Sequence, residues 1–384
     1  MDFVSKINIL YPARISYGVG VLDDFISSFK LLGKKKLLLI SISELLDVVE
    51  EIKLELSSEG ISVTEDFSIT HEPTFADLDY LLDKARKNSV DSIMALGGGS
   101  VMDVAKMVAA MLDLKQDARQ FAGIGLLPSR NTYLVCVPTT AGTGSEVSPN
   151  AIFLDELSGG KKGVISPFLV PDVAVVDPAL TYGVPANITA ATGVDAFTHC
   201  LEAYVNNFSH PMIDLYAMEG MRLIVRSLLT AVQDGNNAGA RAEVALGSLY
   251  GGMCLGPVNT GAIHALSYPL GSKFKLPHGL SNALLMPYVV EYNAMAAADK
   301  YAKVALLFDP EMKGSNEDLA KEGIRLMHQW VHALALPAKL SSVGIRCDDI
   351  ESLANDAMQV QRLLKNNVRK IEFDDAVSIY QKAY

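Results

Sequence analysis

The sequence predicts an α/β domain with a parallel, Rossmann-like sheet, followed by an all-α domain. Three observations lead there. Strand-like and helix-like runs alternate as far as about Pro185, helical spacing alone governs the remainder, and two glycine-rich loops each follow a strand-like run. The expected division is residues 1–186 and 187–384, joined near residues 183–190.

The elements follow in chain order. "KKKLLLISIS" (Lys34–Ser43) reads as a buried strand bounded by a basic cluster. "FADLDYLLDKARKN" (Phe75–Asn88) repeats apolar residues at helical spacing. "VDSIMALGGGS" (Val90–Ser100) is a strand running into glycines, and "SVMDVAKMVAAMLDL" continues it as a helix. "TYLVCVPTT" (Thr132–Thr140) is another strand, and "VPDVAVVDPALT" (Val170–Thr181) one more, ended by Asp177-Pro178. Beyond "NITAATGVDAF" come "DLYAMEGMRLIVRSLLTAV", "ARAEVALGSLYGGMCL", "LSNALLMPYVVEYNAMAA", "KYAKVALLF" and "DLAKEGIRLMHQWVHAL", all at helical period.

Composition narrows the function classes. The chain has 384 residues, 49% of them hydrophobic and 20% charged, enough apolar material for a large core without cross-links. Its net charge of -11 repels phosphate backbones, so no nucleic acid partner is expected. No apolar run is long enough to cross a bilayer, and the acidic second residue argues against a signal peptide. Cys136, Cys200, Cys254 and Cys347 form no paired motif, which fits reduced thiols in a cytoplasmic protein.

The loop in "ALGGGSVMDVAK" (Ala95–Lys106) lies between a strand and a helix. It brings backbone N–H groups and the positive end of the helix dipole to one place, as an anion site requires. Its spacing is not G-x-G-x-x-G, and a tight strand–helix turn explains it equally well by itself. "VPTTAGTGSEVS" (Val137–Ser148) shifts that balance. It follows another strand and sets Thr139, Thr140, Thr143 and Ser145 among Gly142 and Gly144, hydroxyls suited to phosphate or ribose. Two such loops at neighbouring strand ends form the crevice where open α/β sheets bind nucleotides.

"TGVDAFTHCLEAY" (Thr192–Tyr204) puts Asp195 and His199 four residues apart, on one helical face. Such a pair alone is more simply a hydrogen bond. Downstream, "GAIHALSYPLGSKFKLPHGLSNALLMP" (Gly261–Pro287) adds His264 and His278. One carboxylate and three imidazoles in a predominantly apolar domain suit Fe(II) or Zn(II) better than calcium or magnesium.

These blocks together, "GGGSVMDVAK", "PTTAGTGSEV", "TGVDAFTHCLEAYV" and the His264–His278 segment, resemble the iron-containing (group III) alcohol dehydrogenase family in order and spacing. The resemblance runs from "KKKLLLIS" to "LPHGLSNALLMPYV"; beyond about residue 300 only general helical character matches. It implies a dinucleotide-binding domain, a helical metal-binding domain and a catalytic cleft between them. The implied reaction is reversible NAD(P)-dependent oxidation of a small primary or secondary alcohol to its aldehyde or ketone. By the same resemblance Asp195, His199, His264 and His278 hold Fe2+, with Zn2+ as the alternative. Gly98, Gly99 and Ser100 hold the pyrophosphate, Thr139, Thr140 and Thr143 contact the cofactor, and Lys161 and Leu180 lie nearer the ribose and nicotinamide. Asp103 is either a cofactor-pocket residue or a carboxylate placed by the helix dipole, the second being favoured. A homodimer or larger homo-oligomer is implied as well.

Two departures bear on specificity. NAD-preferring relatives carry an aspartate at the end of the strand matching "LLLISIS"; here Ile42 stands between Ser41 and Ser43, which leaves NADP open beside NAD. Many relatives have a histidine four residues after the third ligand, where this chain has Tyr268, a tentative proton relay or pocket wall. Its unperturbed pKa of about 10 makes it a poor proton acceptor at neutral pH. Phe153, Phe274 and Cys254 join Tyr268 as candidate pocket residues. Glycerol-dehydrogenase-like, maleylacetate-reductase-like and dehydroquinate-synthase-like enzymes share the scaffold, and a non-catalytic cofactor-binding protein is the alternative from another class.

Overall fold

The computed structural model describes residues 5–157 and 159–384. They form two compact units. One comprises Leu10–Thr140 and Gly144–Tyr182; the other comprises Gly183–Tyr384, with Ala141–Thr143 and the described residues up to Ile9.

The first unit carries a six-stranded parallel sheet in the order β1-β9-β6-β4-β2-β3. Its strands are β1 (Arg14–Tyr17), β2 (Lys36–Ile40), β3 (Ser62–Asp66), β4 (Ser92–Gly97), β6 (Tyr133–Pro138) and β9 (Val173–Val176). A smaller sheet, β5-β8-β7, consists of β5 (Gly123–Ile124), β7 (Asn150–Leu154) and β8 (Lys161–Ile165). The helices are α1 (Val21–Phe29), α2 (Leu46–Ser57), α3 (Phe75–Asn88) and α4 (Gly99–Met111).

Period-two alternation explains the layering. Leu37 and Leu39 of β2 pack with α1 and α2 on one face, whereas Leu38 and Ile40 pack with α3 and α4 on the other. All four are fully buried, at about 1.5–3 kcal/mol each. The chain leaves β2 toward β3 and then returns to place β4 on the far side of β2, so strand order reverses there. The hairpin β7–β8 was not legible in the sequence, and α1, α2, β1 and β3 were likewise unread. β3 is an edge strand whose residues are mostly half-exposed, which weakens the apolar signal.

The second unit is helical: α5 (Ala186–Tyr204), α6 (Pro211–Gln233), α7 (Ala238–Leu255), α8 (Ala262–Phe274), α9 (His278–Asn293), α10 (Ala298–Phe308), α11 (Asn316–Ala333), α12 (Ile350–Ala357), α13 (Gln361–Leu364) and α14 (Phe373–Ala383). Close helix approach depends on glycine. A Cβ on Gly279 would lie 2.2 Å from the Ala191 carbonyl oxygen, so α9 meets α5 where no larger residue fits. No helix among the described residues is long and apolar enough to cross a membrane.

A buried polar network ties α4 to the segment preceding β7. Lys106 is fully buried and donates to Ser145 Oγ (2.7 Å), Ser148 Oγ (3.3 Å) and the Asn150 carbonyl (2.7 Å). Asp103 accepts from Ser145 Oγ (2.5 Å) and the Ile152 N–H (2.9 Å). Burial pulls the Lys106 pKa down and the Asp103 pKa up, each partly offset by the other charge. Glu146 shares this interior, and burial pushes its pKa up to about 7.

That shift carries a sign. A carboxyl whose folded pKa exceeds its unfolded value leaves the folded state progressively less stable as pH rises from about 4.5 to 7. Glu146→Gln removes the ionisation, so the variant is expected to gain about 1–3 kcal/mol relative to the parent at pH 8 but not at pH 5. Thermal midpoints of both proteins at the two pH values check this; a difference that stays constant with pH contradicts it.

Candidate metal and cofactor site

The four ligand-type residues sit on three helices of the second unit. Asp195 and His199 lie on successive turns of α5, His264 in the first turn of α8 and His278 at the first position of α9. One potential ligand atom from each lies within 4.8 Å of all the others. Asp195 Oδ1 is 3.7 Å from His199 Nε2, 3.5 Å from His264 Nε2 and 3.6 Å from His278 Nε2. Asp195, His199 and His264 are buried, whereas the His278 side chain stays 27% exposed, so the cluster opens on that side.

Two further residues, absent from the set expected from sequence, belong to this cluster. Glu202 Oε2 lies 2.5 Å from His264 Nδ1, and Oε1 accepts the Ile263 N–H at 2.5 Å. Glu202 therefore caps the first turn of α8 and leaves His264 Nε2 facing Asp195. A Cβ on Gly261 would lie 3.3 Å from Glu202 Oε1, which explains the small residue before α8. The signal was present: Asp195, His199 and Glu202 follow i, i+4, i+7 spacing on one helix. Asn282, one turn beyond His278, donates to Asp195 Oδ1 (2.7 Å) and lies 3.1 Å from His264 Nε2. Nothing short of the folded arrangement distinguishes it from any other buried amide.

Electrostatics bind the group together. Burial alone would raise the Asp195 pKa, but His199, His278 and His264 outweigh it and hold the carboxyl far below its usual range. Burial lowers the His199 pKa to about 4 against the pull of Asp195. Burial also disfavours charge on His264, yet Glu202 and then Asp195 prevail and raise its pKa to about 9. The site thus draws in positive charge, and the donor set is one oxygen and three imidazole nitrogens.

In the sheet unit, Gly98 precedes α4, and Gly99 and Ser100 open it. Gly97 is needed for space rather than for left-handed backbone. A Cβ on Gly97 would lie 2.8 Å from a Val101 methyl, and one on Gly98 would lie 3.4 Å from Thr140 Oγ1. The Gly97–Ser100 turn and the Thr139–Thr140 turn therefore touch, with Thr139 N–H donating to the Gly97 carbonyl at 3.1 Å. Thr143 groups with the helical unit, where Gly142 packs against Thr192 at the start of α5.

Asp103 is one turn further along α4, with both oxygens engaged as described. Lys161 lies on β8 with its ammonium 2.6 Å from Glu72. Leu180 packs against the core of the sheet unit. Of the pocket residues expected from sequence, Phe153 is instead core. It is fully buried and stacked on Phe75 at 5.2 Å, because the inward face of β7 completes the packing of α3 and α4. Cys254 is also fully buried, its thiol donating to the Tyr250 carbonyl, and Phe274 packs on the helical core. Tyr268 does face the cluster, its ring 6.0 Å from that of His278, and burial raises its pKa.

Residues 12–178 match a family model described as iron-containing alcohol dehydrogenase. Residues 189–384 match the Fe-containing alcohol dehydrogenase family, C-terminal. Long-chain-alcohol dehydrogenase 1 of Geobacillus thermodenitrificans is 33% identical, over 99% of this chain and 98% of that protein. Sulfoacetaldehyde reductase of Bilophila wadsworthia is 30% identical over 96% of each. Among solved structures, a 1,3-propanediol oxidoreductase has a TM-score of 0.95 at 32% identity, covering 99% of this chain and 100% of that one. An alcohol dehydrogenase from Oenococcus oeni has the same TM-score at 30% identity, with the same coverage. Matched across both units, the chain belongs to the iron-containing alcohol dehydrogenase family, enzymes that couple alcohol–carbonyl interconversion to a nicotinamide cofactor.

Proposed function

We propose that Asp195, His199, His264 and His278 hold one divalent cation, Fe2+ ahead of Zn2+, at which a small alcohol or aldehyde reacts with NAD. The observation that carries this is the convergence of the four donors within 4.8 Å in an otherwise apolar helical unit. The fit rests on the donors themselves. Three Nε2 atoms face one carboxylate oxygen, and Glu202 fixes the orientation of His264 from behind. A divalent ion held there supplies Lewis acidity toward an alcohol or carbonyl oxygen, and the nicotinamide ring accepts or returns hydride.

The protein's own residues bind and orient. Backbone N–H groups of Gly98, Gly99 and Ser100 at the start of α4 receive the pyrophosphate, aided by the helix dipole. Thr139, Thr140 and Thr143 supply hydroxyls, Leu180 an apolar contact, and Lys161 a charge tethered by Glu72. Asp103 acts at one remove by holding Ser145 and the Ile152 N–H. Tyr268, protonated at neutral pH, serves as pocket wall and hydrogen-bond donor rather than as base. NAD is favoured over NADP because the β2 terminus continues through Ile42 and Ser43 to Glu44, whose carboxylate accepts from Ser43 Oγ and would repel a 2′-phosphate. NAD+ is the cofactor in the solved complex of a sulfoacetaldehyde reductase from Bifidobacterium kashiwanohense, which is 25% identical. We place the enzyme in the cytoplasm as a homodimer or larger homo-oligomer, from the family likeness and the unpaired cysteines.

His264→Ala and His278→Ala are each expected to lose bound iron and to lower turnover by about a thousandfold or more, with NADH binding little changed. Glu202→Gln should weaken iron binding by about 10- to 100-fold. Metal analysis of anaerobically prepared protein, titration of NADH fluorescence and the absorbance assay read these separately. Full activity in a thoroughly demetallated sample overturns the assignment. In the same assay NADH is expected to exceed NADPH in kcat/KM by roughly tenfold or more, about 1.4 kcal/mol; equal values defeat the role given to Glu44.

A further inference from the structure

The names of the relatives range over several substrates, so the substrate class has to be read from this chain's own side chains. We propose that Arg362 anchors an anionic group at the far end of the substrate, so that the enzyme prefers short aldehydes and alcohols ending in a carboxylate, sulfonate or phosphonate. The inference rests on the reading that the reacting carbonyl lies at the four-donor cluster.

Tyr268 follows His264 by one turn of α8, so the two side chains share a helix face. Its ring lies 6.0 Å from His278, on the side where the cluster opens. The short helix α13 packs against α8, and its Arg362 guanidinium lies close enough to the Tyr268 hydroxyl to act against the upward pull of burial on that group's pKa. Leu363 and Leu364 beside it are buried, while Arg362 itself keeps partial access to solvent. Among the described residues Arg362 forms no ion pair with a carboxylate, although the chain carries 44 acidic residues against 33 basic ones.

A guanidinium beside a neutral hydroxyl, with no carboxylate paired to it, retains unused donors and an unbalanced charge. The neighbouring acids do not balance it. Asp195 and Glu202 bring two negative charges, which a divalent ion cancels, and Glu202 is already committed to His264 and Ile263. What remains is one positive charge beside the open edge of the cluster. Its planar donor fork matches the oxygens of a carboxylate, sulfonate or phosphonate. A substrate with its carbonyl at the cluster and an anionic group a few atoms away satisfies both ends. A wholly apolar alcohol would leave the guanidinium desolvated without compensation.

The test uses the full-length, iron-loaded enzyme with NADH and two matched pairs of aldehydes: sulfoacetaldehyde against propanal, and 4-oxobutanoate against pentanal. Wild type is expected to favour the anionic member of at least one pair by about tenfold or more in kcat/KM; which pair shows the larger ratio separates sulfonate from carboxylate. Arg362→Leu should bring that ratio close to unity through KM, and Arg362→Lys should keep part of it, since a point charge remains without the fork. Bound iron and thermal midpoints of the variants are compared with wild type to exclude misfolding. Equal or better turnover of the neutral aldehydes by wild type overturns the inference. So does an unchanged ratio in Arg362→Leu, which would reduce the arginine to a prop for Tyr268. Failure of every aldehyde with either nicotinamide cofactor overturns the underlying reading itself, and is distinguished by the absence of turnover with the neutral aldehydes too.

Discussion

A buried carboxylate facing three imidazoles is the interaction on which the functional centre depends. Removing Asp195 from water is costly, and the cost is offset by the nitrogens that His199, His264 and His278 present to one oxygen and by the Asn282 amide that donates to it. That demand accounts for much of the local architecture. α5 must supply two groups on one face, α8 must begin where His264 reaches them, and α9 must begin with His278. Gly279 lets α9 approach the Ala191 carbonyl closely enough for this to occur. Glu202 and Asn282 then lock the arrangement, one holding His264 from behind and the other holding Asp195 from the side.

The sheet unit resolves a comparable problem with a fully buried lysine. Lys106 has to find partners inside the protein, and it finds them in Ser145, Ser148 and Asn150. Its neighbour Asp103 binds Ser145 and the Ile152 N–H. The result is a strut between α4 and the polar loop after β6, the two segments to which cofactor contacts are assigned. Rigid support of this kind is what a glycine-rich binding turn requires, since the turn itself has little packing of its own. Burial outweighs the available partners for the Glu146 carboxyl in the same interior, as it does for Asp103 and Lys106.

Local pattern was legible wherever one face of an element is apolar throughout. The helical spacing of Phe75–Asn88 coincides with α3 to the residue, and the buried strands β2, β4, β6 and β9 all lie inside the runs expected for them. The hairpin β7–β8 was missed because its residues alternate in burial only over a few positions and include glycine and two lysines. Phe153 lies in the core rather than in a pocket for a related reason: where a strand leaves no clear alternation, its aromatic residue gives no hint of which way it faces. In the four-residue cluster the ligand-type residues stand out by chemistry, whereas Glu202 resembles an ordinary helical acid in sequence and its role shows only where His264 packs against it.

By itself, the sequence determined the parallel α/β character of the first unit and the helical character of the second, two loops suited to a dinucleotide and four residues of metal-ligand type. Hydrophobic period, glycine placement and ligand chemistry are local properties, written within a few residues of one another. Only the tertiary structure decided which distant side chains share a place: His264 and His278 with α5, Lys106 with the loop after β6, Arg362 with Tyr268. Arg362 sits on a four-residue helix with no period to read, 94 positions from its partner, and nothing short of chain packing brings the two together. Contacts across such separations are selected by the burial of whole helices, which no short stretch of sequence encodes.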